Sequence, residues 1–329
     1  MLIIFVFAAV LAFFYYIFFT PNYYTRKSPI RFEIKRGETL SSIADSLAAQ
    51  GIIPHASNFS IAAFIYGAER SIRAGRYFIP NGLSYLSLVE FFIHTRANYA
   101  HIVTIPQGST IKFIAARVKY DLFVDSASFV NKAEDKNFID SLGLHTSTLE
   151  GYLFPGKYDL YERSTPSEII GIFYKTFKKF ITDSLRKRAD SLGYSVYEIL
   201  TLASIVDGET NKIDEMPEIA SVYYNRLKKG MPLEADPTIQ YLQTNGWKRL
   251  LKKDLKIKSP YNTYIHQGLP PGPINNPGKE AILAVLYPAK TDYMYFVADG
   301  TGGHKFSRSY SQHLLNVNQY RKWLKEHQQ

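Results

Sequence analysis

Between Leu202 and Thr210 the chain reads LASIVDGET, an apolar run ending in two carboxylates, Asp207 and Glu209, with one glycine between them. These residue types can do proton chemistry. A carboxyl group held against apolar surface resists ionising, because burial penalises its charged form. An acid that stays protonated near neutral pH can donate its proton to a leaving oxygen. Glu209 sits in the last turn of the predicted helix beside Ile205 and Val206, where the negative end of the helix dipole disfavours ionisation further. On a helical wheel Asp207 and Glu209 lie ~160° apart, so both face one cleft only if the helix ends at Gly208. The residues alone leave two readings open: a proton-donating acid, or the polar end of a core helix.

Other familiar chemistries are missing from the sequence. It has no GxxxxGK[ST], HExxH or GxSxG pattern, each of which would signal a phosphate cradle, a zinc site or a nucleophilic serine. Eight histidines are scattered without a metal-ligand pair at helical spacing, so neither metal nor cofactor is predicted. The absence of cysteine excludes disulfides, thiolate catalysis and Cys-based zinc sites. Lys plus Arg number 39 against 29 for Asp plus Glu, a formal net charge of +10. Such a surface attracts an anionic polymer or anionic lipid face, or simply keeps the chain soluble. The basic residues are spread, with clusters at Arg186–Arg188 and Lys248–Lys258, and no nucleic-acid module is recognisable, so no nucleic-acid partner is expected. The 25 Tyr and 22 Phe suit sugar stacking as well as core edges.

The elements that must position these groups follow from the patterning. With 329 residues, 46% hydrophobic and 21% charged, the chain has enough material for a large core and more than one domain. Leu2–Phe19 is eighteen residues without a charge, about 27 Å as a helix against a hydrocarbon layer of ~30 Å. Tyr15, Tyr16, Tyr23 and Tyr24 suit its interfaces. A signal peptide would have a shorter apolar core and a small-residue cleavage site, which Phe18-Phe19-Thr20-Pro21-Asn22 does not offer. Residues 1–20 are therefore predicted to be an uncleaved single-pass anchor. Arg26 and Lys27 follow it and no basic residue precedes it, which by charge alone keeps the body cytoplasmic.

Ile30–Leu47 reads as a strand, a turn at Gly37 and a helix capped by Thr39. The pattern recurs at His101–Val118, with Gly108, Thr110, Ile111, Ile114 and Ala115 at the offsets of Gly37, Thr39, Leu40, Ile43 and Ala44. Between the copies, Ser71–Phe92 holds another strand, an Asn81-Gly82 turn and an apolar helix. Predicted helices follow at Glu168–Leu192, Tyr197–Thr210, Ile219–Lys228 and Lys279–Leu286. Ser259–Gly278 (SPYNTYIHQGLPPGPINNPG) is too rich in Gly, Pro and Asn for regular structure, and long ordered loops of this kind usually carry function. A strand at Tyr293–Val297, a turn and returning strand in ADGTGGHKFS, and a polar helix from Tyr310 complete an α+β chain.

LASIVDGET, SVYYNRLKKGMPLEADPTIQY, SPYNTYIHQGLPPGPINNPG, AKTDYMYFVADGTGGHKFS and LEGYLFPGKYDL together resemble the endolytic murein transglycosylase family of YceG-like proteins. The resemblance covers nearly the whole chain, with several long motifs in order. It implies an α+β fold with an N-terminal transmembrane helix at 1–20, a small LysM-like domain at 30–95 and a larger mixed α/β catalytic domain at 97–329. It also implies a single-pass protein of the bacterial inner membrane with its body on the extracytoplasmic side, overruling the charge reading. The implied partners are peptidoglycan glycan strands, the membrane and peptidoglycan synthases.

In the family the catalytic glutamate precedes the threonine of an E-K-E-T motif, a position held here by Glu209. Asp207 and Gly208 depart from the first two letters, which puts any secondary role of the longer first acid in doubt. Glu150, Asn225, Asp236, Thr238, Ser259, Tyr261, Asn262 and Thr263 fall in matching motifs and are candidate substrate-binding residues; each could equally be structural, as Asp236 before Pro237 suits a turn. The activity implied is cleavage of the bond between N-acetylmuramic acid and N-acetylglucosamine in nascent strands without water, leaving 1,6-anhydro ends and ending elongation. Two alternatives stand beside it: a non-catalytic peptidoglycan-binding scaffold, and a muramidase-type hydrolase, which would need a second carboxylate.

Overall fold

The computed structural model describes residues 2–69, 71–95, 100–243 and 248–327, with side chains from Ile4 onward. The chain divides into two compact units: Met1–Ile102 with Asp159–Ser164, and Val103–Tyr158 with Thr165–Gln329. The predicted domain boundary at 96–97 lies outside the described residues.

The first unit holds α1 (Leu2–Phe19), β1 (Ile30–Ile34), α2 (Leu40–Ala49), α3 (Ala56–Ile65), β2 (Gly75–Ile79) and α4 (Tyr85–His94). β1 alternates buried and exposed residues, and pairs antiparallel with β2 from Ile30↔Ile79 to Ile34↔Gly75. Thr39 caps α2 by accepting from the Ser42 N–H, which lets Ile43, Ala44 and Leu47 face the core. There the Phe92 ring meets Phe32, Phe59 and Tyr77 at centroid distances of 6.0, 6.0 and 4.8 Å.

The predicted anchor is corrected here. Among the described residues no helix is long and apolar enough to cross a membrane. The last turn of α1 is taken up by the first unit's core, where Phe18 is buried and Ile17 packs beside it. The apolar stretch of α1 left outside that core runs from residue 2 to residue 16, roughly 22 Å as a helix, and falls short of the ~30 Å hydrocarbon layer. The transmembrane part of the fold class, the membrane as a partner, and the single-pass inner-membrane localisation drawn from the same eighteen residues fall with it.

Two strands, β3 (Ala100–Ile105) and β4 (Gly156–Tyr161), pair with each other, and the division between units falls inside both. The second unit continues with α5 (Ile111–Leu122), α6 (Ser126–Ala133), α7 (Lys136–Ser141), α8 (Pro166–Phe180), α9 (Asp183–Leu192), α10 (Val196–Glu209), α11 (Met216–Lys228), α12 (Asp236–Tyr241), α13 (Lys279–Leu286), β5 (Tyr295–Ala298), β6 (His304–Ser307) and α14 (Tyr310–His327). The helix expected over Glu168–Leu192 is two helices. Thr182 accepts from the Leu185 N–H and starts α9, so a local side-chain cap outcompetes continuation of the apolar stripe.

α10 is the axis of this unit. Ser195 and Glu198 form a capping box at its start. Every residue from Ile199 to Asp207 is buried, because α10 packs against α9, α11, α12 and α13. An all-round burial of this kind accounts for a helix without a polar face. The Pro- and Gly-rich segment 259–278 forms turns and bends, joined to its surroundings by single bridges at Pro232↔Gln267 and Ser109↔Asn276.

Candidate active site

The C-terminal turn of α10 opens onto a cavity of about 450 Å³. Asp207, Gly208, Glu209, Thr210 and Asn211 line it from the end of α10; Ala298 at the end of β5, Gly300, Gly302 and Gly303 in the turn, and His304 at the start of β6 line it as well; Tyr320 and Trp323 come from α14. Gly208 is helical and close-packed: a Cβ there would lie 2.7 Å from Pro237 Cβ.

Glu209 is the last residue of α10 and is half-buried. Its Oε1 accepts a 2.5 Å hydrogen bond from Tyr223 Oη, while no partner of Oε2 is found among the described residues. Burial pushes its carboxyl up to about 7; the Tyr223 hydroxyl opposes this, the nearby Asp236 charge adds to it, and Arg226 opposes it. Desolvation wins because α10 and the buried Tyr223 of α11 leave the carboxyl little water. The Tyr223 phenol, buried beside that carboxylate, is held well above its ordinary value and remains a donor. Arg226 is fixed by Met294 O, Pro232 O, Leu233 O and Glu234, and its guanidinium lies 5.2 Å from the Tyr295 ring centroid.

Asp207 points elsewhere. Its Oδ1 accepts from the Gly278 N–H at the start of α13 (3.2 Å), and its Oδ2 lies so close to Gly108 that a Cβ there would come within 2.9 Å. Burial raises it to about 6. The two carboxylates of the motif diverge, as their wheel positions require, because the helix continues through Gly208 to Glu209.

The other predicted residues do not line this cavity, and each has a place of its own. Glu150 is buried, with both oxygens within reach of the Ile111 N–H at the start of α5 and Oε1 accepting from Asn276 Nδ2 at 2.7 Å. Desolvation lifts it to about 8 against those bonds. Asn276 in turn ties Ser109 O and Leu153 N. Asn225 donates to Thr291 O and Tyr293 O and so holds the approach to β5. Thr238 and Thr263 bond to each other at 2.9 Å and to Ala235. Asn262 is fully buried and braces the loop through Leu255 O, Ile257 O and the Tyr264 N–H. Ser259 accepts from the Tyr261 N–H, and Tyr261 packs on Tyr241. Asp236 is exposed, accepts from Tyr264 Oη at 2.6 Å, and is near enough to raise Glu209.

Sequence reasoning missed Tyr223, His304, Tyr320 and Trp323. Tyr223 lies fourteen residues beyond Glu209, a spacing that becomes contact only through the reversal between α10 and α11. The GTGGH segment did carry a signal: three glycines ahead of a lone histidine mark a tight, positioned turn.

A half-buried acid with a raised pKa, over an open cavity with an aromatic side, is the arrangement that general acid–base enzymes use. The chain belongs to the YceG-like family, whose profile matches residues 32–319. It is 33% identical over 302 residues to an endolytic murein transglycosylase of Bacillus subtilis (strain 168), covering 87% of this chain and 83% of that protein. It is 30% identical over 315 residues to an endolytic murein transglycosylase of Streptococcus pneumoniae serotype 2 (strain D39), covering 86% of this chain and 57% of that longer protein. The crystal structure of a YceG-like protein from Listeria monocytogenes superposes with a TM-score of 0.61 at 32% identity, over 88% of this chain and 99% of the other.

Proposed function

We propose that Glu209 is the acid and base with which this chain cuts glycan strands. The chain is an endolytic murein transglycosylase-type lytic enzyme acting on peptidoglycan, a reading supported by its family and by the names of its relatives. The observation that carries the residue assignment is a carboxyl raised to about 7 on the wall of the cavity. With a pKa near 7, roughly half of Glu209 is protonated at neutral pH, against about 0.2% at an unperturbed value.

In the first half-reaction Glu209 donates its proton to the glycosidic oxygen while the bond from that oxygen to muramoyl C1 breaks, through an oxocarbenium-like state. The leaving sugar departs with the proton. The Glu209 carboxylate, now a base, takes the proton from the muramoyl C6 hydroxyl, and that oxygen closes on C1. Glu209 is thereby reprotonated, no water is consumed, and the new end is 1,6-anhydro. Tyr223 suits both halves, since its hydroxyl favours the carboxylate when it forms and fixes the rotamer throughout. Asp207 is engaged by the Gly278 N–H and lies against Gly108, which supports the lytic reading over a hydrolase that uses it as a second carboxylate.

Mass spectrometry of digested sacculi tests the reaction. The expected ends are one water lighter than reducing ends. Hydrated ends would identify a hydrolase, and intact strands after prolonged incubation a scaffold.

A further inference from the structure

Beyond the acid, the cavity is lined by a histidine held by packing and by a carboxylate, with one ring nitrogen left over. His304 faces the same cavity as Glu209 and is fixed at two points by one residue: Glu215 Oε2 lies 2.7 Å from its Nδ1, and Glu215 Oε1 accepts from its backbone N–H at 3.2 Å. The turn that delivers it is built to close tolerances. Asp299 Oδ1 gathers the N–H groups of Thr301 (2.7 Å) and Gly303 (3.0 Å). Gly300 lies against the Trp323 indole, and Gly303 against Glu215 and Lys212, too close for a Cβ at either position. With Nδ1 held by the Glu215 carboxylate, Nε2 is the ring's remaining hydrogen-bonding atom, and it has no partner among the described residues.

Aromatic residues of α14 line the same cavity beside this turn. Tyr320 and Trp323 stack at 6.3 Å with ring planes 12° apart, and His327 stacks on Trp323 at 4.4 Å. The indole is therefore clamped in place. Both wall residues lie beyond residue 319, where the family match ends. An imidazole nitrogen and a fixed aromatic ring lining one cavity suit a neutral sugar, which offers hydroxyl groups at its rim and apolar C–H groups on its face.

We propose that His304 and Tyr320 form a subsite for an N-acetylated hexose unit adjoining the cleaved bond, with His304 Nε2 hydrogen-bonding a sugar hydroxyl and the Tyr320 ring, held in place by Trp323, packing on the sugar. His304 is here a substrate-positioning residue and Glu215 the residue that positions it. The proposal rests on the reading of Glu209 as the catalytic acid, and the test separates the two.

The Glu209→Gln protein is titrated with peptide-free, uncross-linked glycan strands while the His304 imidazole proton resonances are followed. They are expected to move in a saturable way. Unmoved resonances at saturating glycan, or no binding at all, overturn the subsite. In the Glu209-intact enzyme, His304→Ala and Tyr320→Ala should each raise KM about tenfold, the worth of one lost hydrogen bond or ring contact, with kcat within about threefold and the anhydro product retained. An unchanged KM in a folded His304→Ala protein overturns the proposal. Glu215→Gln should reproduce part of the KM effect. Persistent cleavage by Glu209→Gln would instead sink the catalytic assignment and leave the subsite standing.

Discussion

Glu209 and Glu150 are two carboxyl groups of one unit, both lifted by burial, to about 7 and about 8. Their surroundings part them. Glu150 has its oxygens taken up by the Ile111 N–H and by Asn276 Nδ2, so it joins α5 to the loop before α13. Glu209 gives one oxygen to Tyr223 and keeps an edge on the cavity. A raised pKa thus reports burial, and only the partners say whether the proton can reach a substrate.

The sharpest break of this comparison is by substitution. Glu209→Gln should lower cleavage by about a thousandfold or more, since the amide neither donates nor accepts the proton in the reaction, with a thermal midpoint no lower than that of the native protein. Glu150→Ala should do the reverse. It strands the Ile111 N–H and Asn276 in a dry interior, at a cost of about 2–3 kcal/mol on denaturant unfolding, while the protein that remains folded still cuts. If the two variants exchanged these effects, the roles assigned here would be reversed.

The pH dependence of stability sharpens it. Both carboxyls bind protons more tightly folded than unfolded, so the folded state holds more protons between the ordinary value near 4.5 and the raised values. Stability is therefore full below about 4.5 and falls as pH rises, to about 7 for Glu209 and about 8 for Glu150. The Glu209 share is roughly 3 kcal/mol. Glu209→Gln should flatten the slope below pH 7, and Glu150→Gln the part that continues to pH 8. Urea unfolding at a series of pH values reads this directly.

Gly208→Ala tests the packing around the acid. A Cβ 2.7 Å from Pro237 Cβ should destabilise by about 1–3 kcal/mol and displace Glu209, lowering activity in the folded fraction. Tyr223→Phe has the smallest expected effect. Losing the bond that favours the carboxylate should move the alkaline limb of the rate profile to higher pH and reduce the rate a few-fold.

Much of this was legible in the sequence. The apolar run before Asp207 placed a helix end near Glu209, and the 3.6-residue period set the two acids apart unless the helix ended at Gly208; it runs on to Glu209, and they diverge. Thr39 and Thr110 marked two helix starts, and both cap through a side-chain oxygen. The break at Thr182 was hidden because the apolar stripe continues across it. The eighteen-residue apolar stretch misled for a different reason: its last turn packs on neighbours that hydropathy does not see. Loop polar residues such as Asn262 and Thr263 looked able to face a cleft, yet their hydrogen bonds close on nearby backbone. The rest of the cavity lining was invisible, since His304 and Trp323 join Glu209 only through tertiary folding.

The most direct measurement is a carbon-13 titration of the Glu209 side-chain carboxyl in the intact protein, assigned by its loss in Glu209→Gln. A midpoint near 7, matched by the pH at which the cleavage rate begins to fall, is the predicted result. A midpoint near that of a solvent-exposed glutamate, with cleavage undiminished above it, would contradict the assignment of Glu209 as the proton donor.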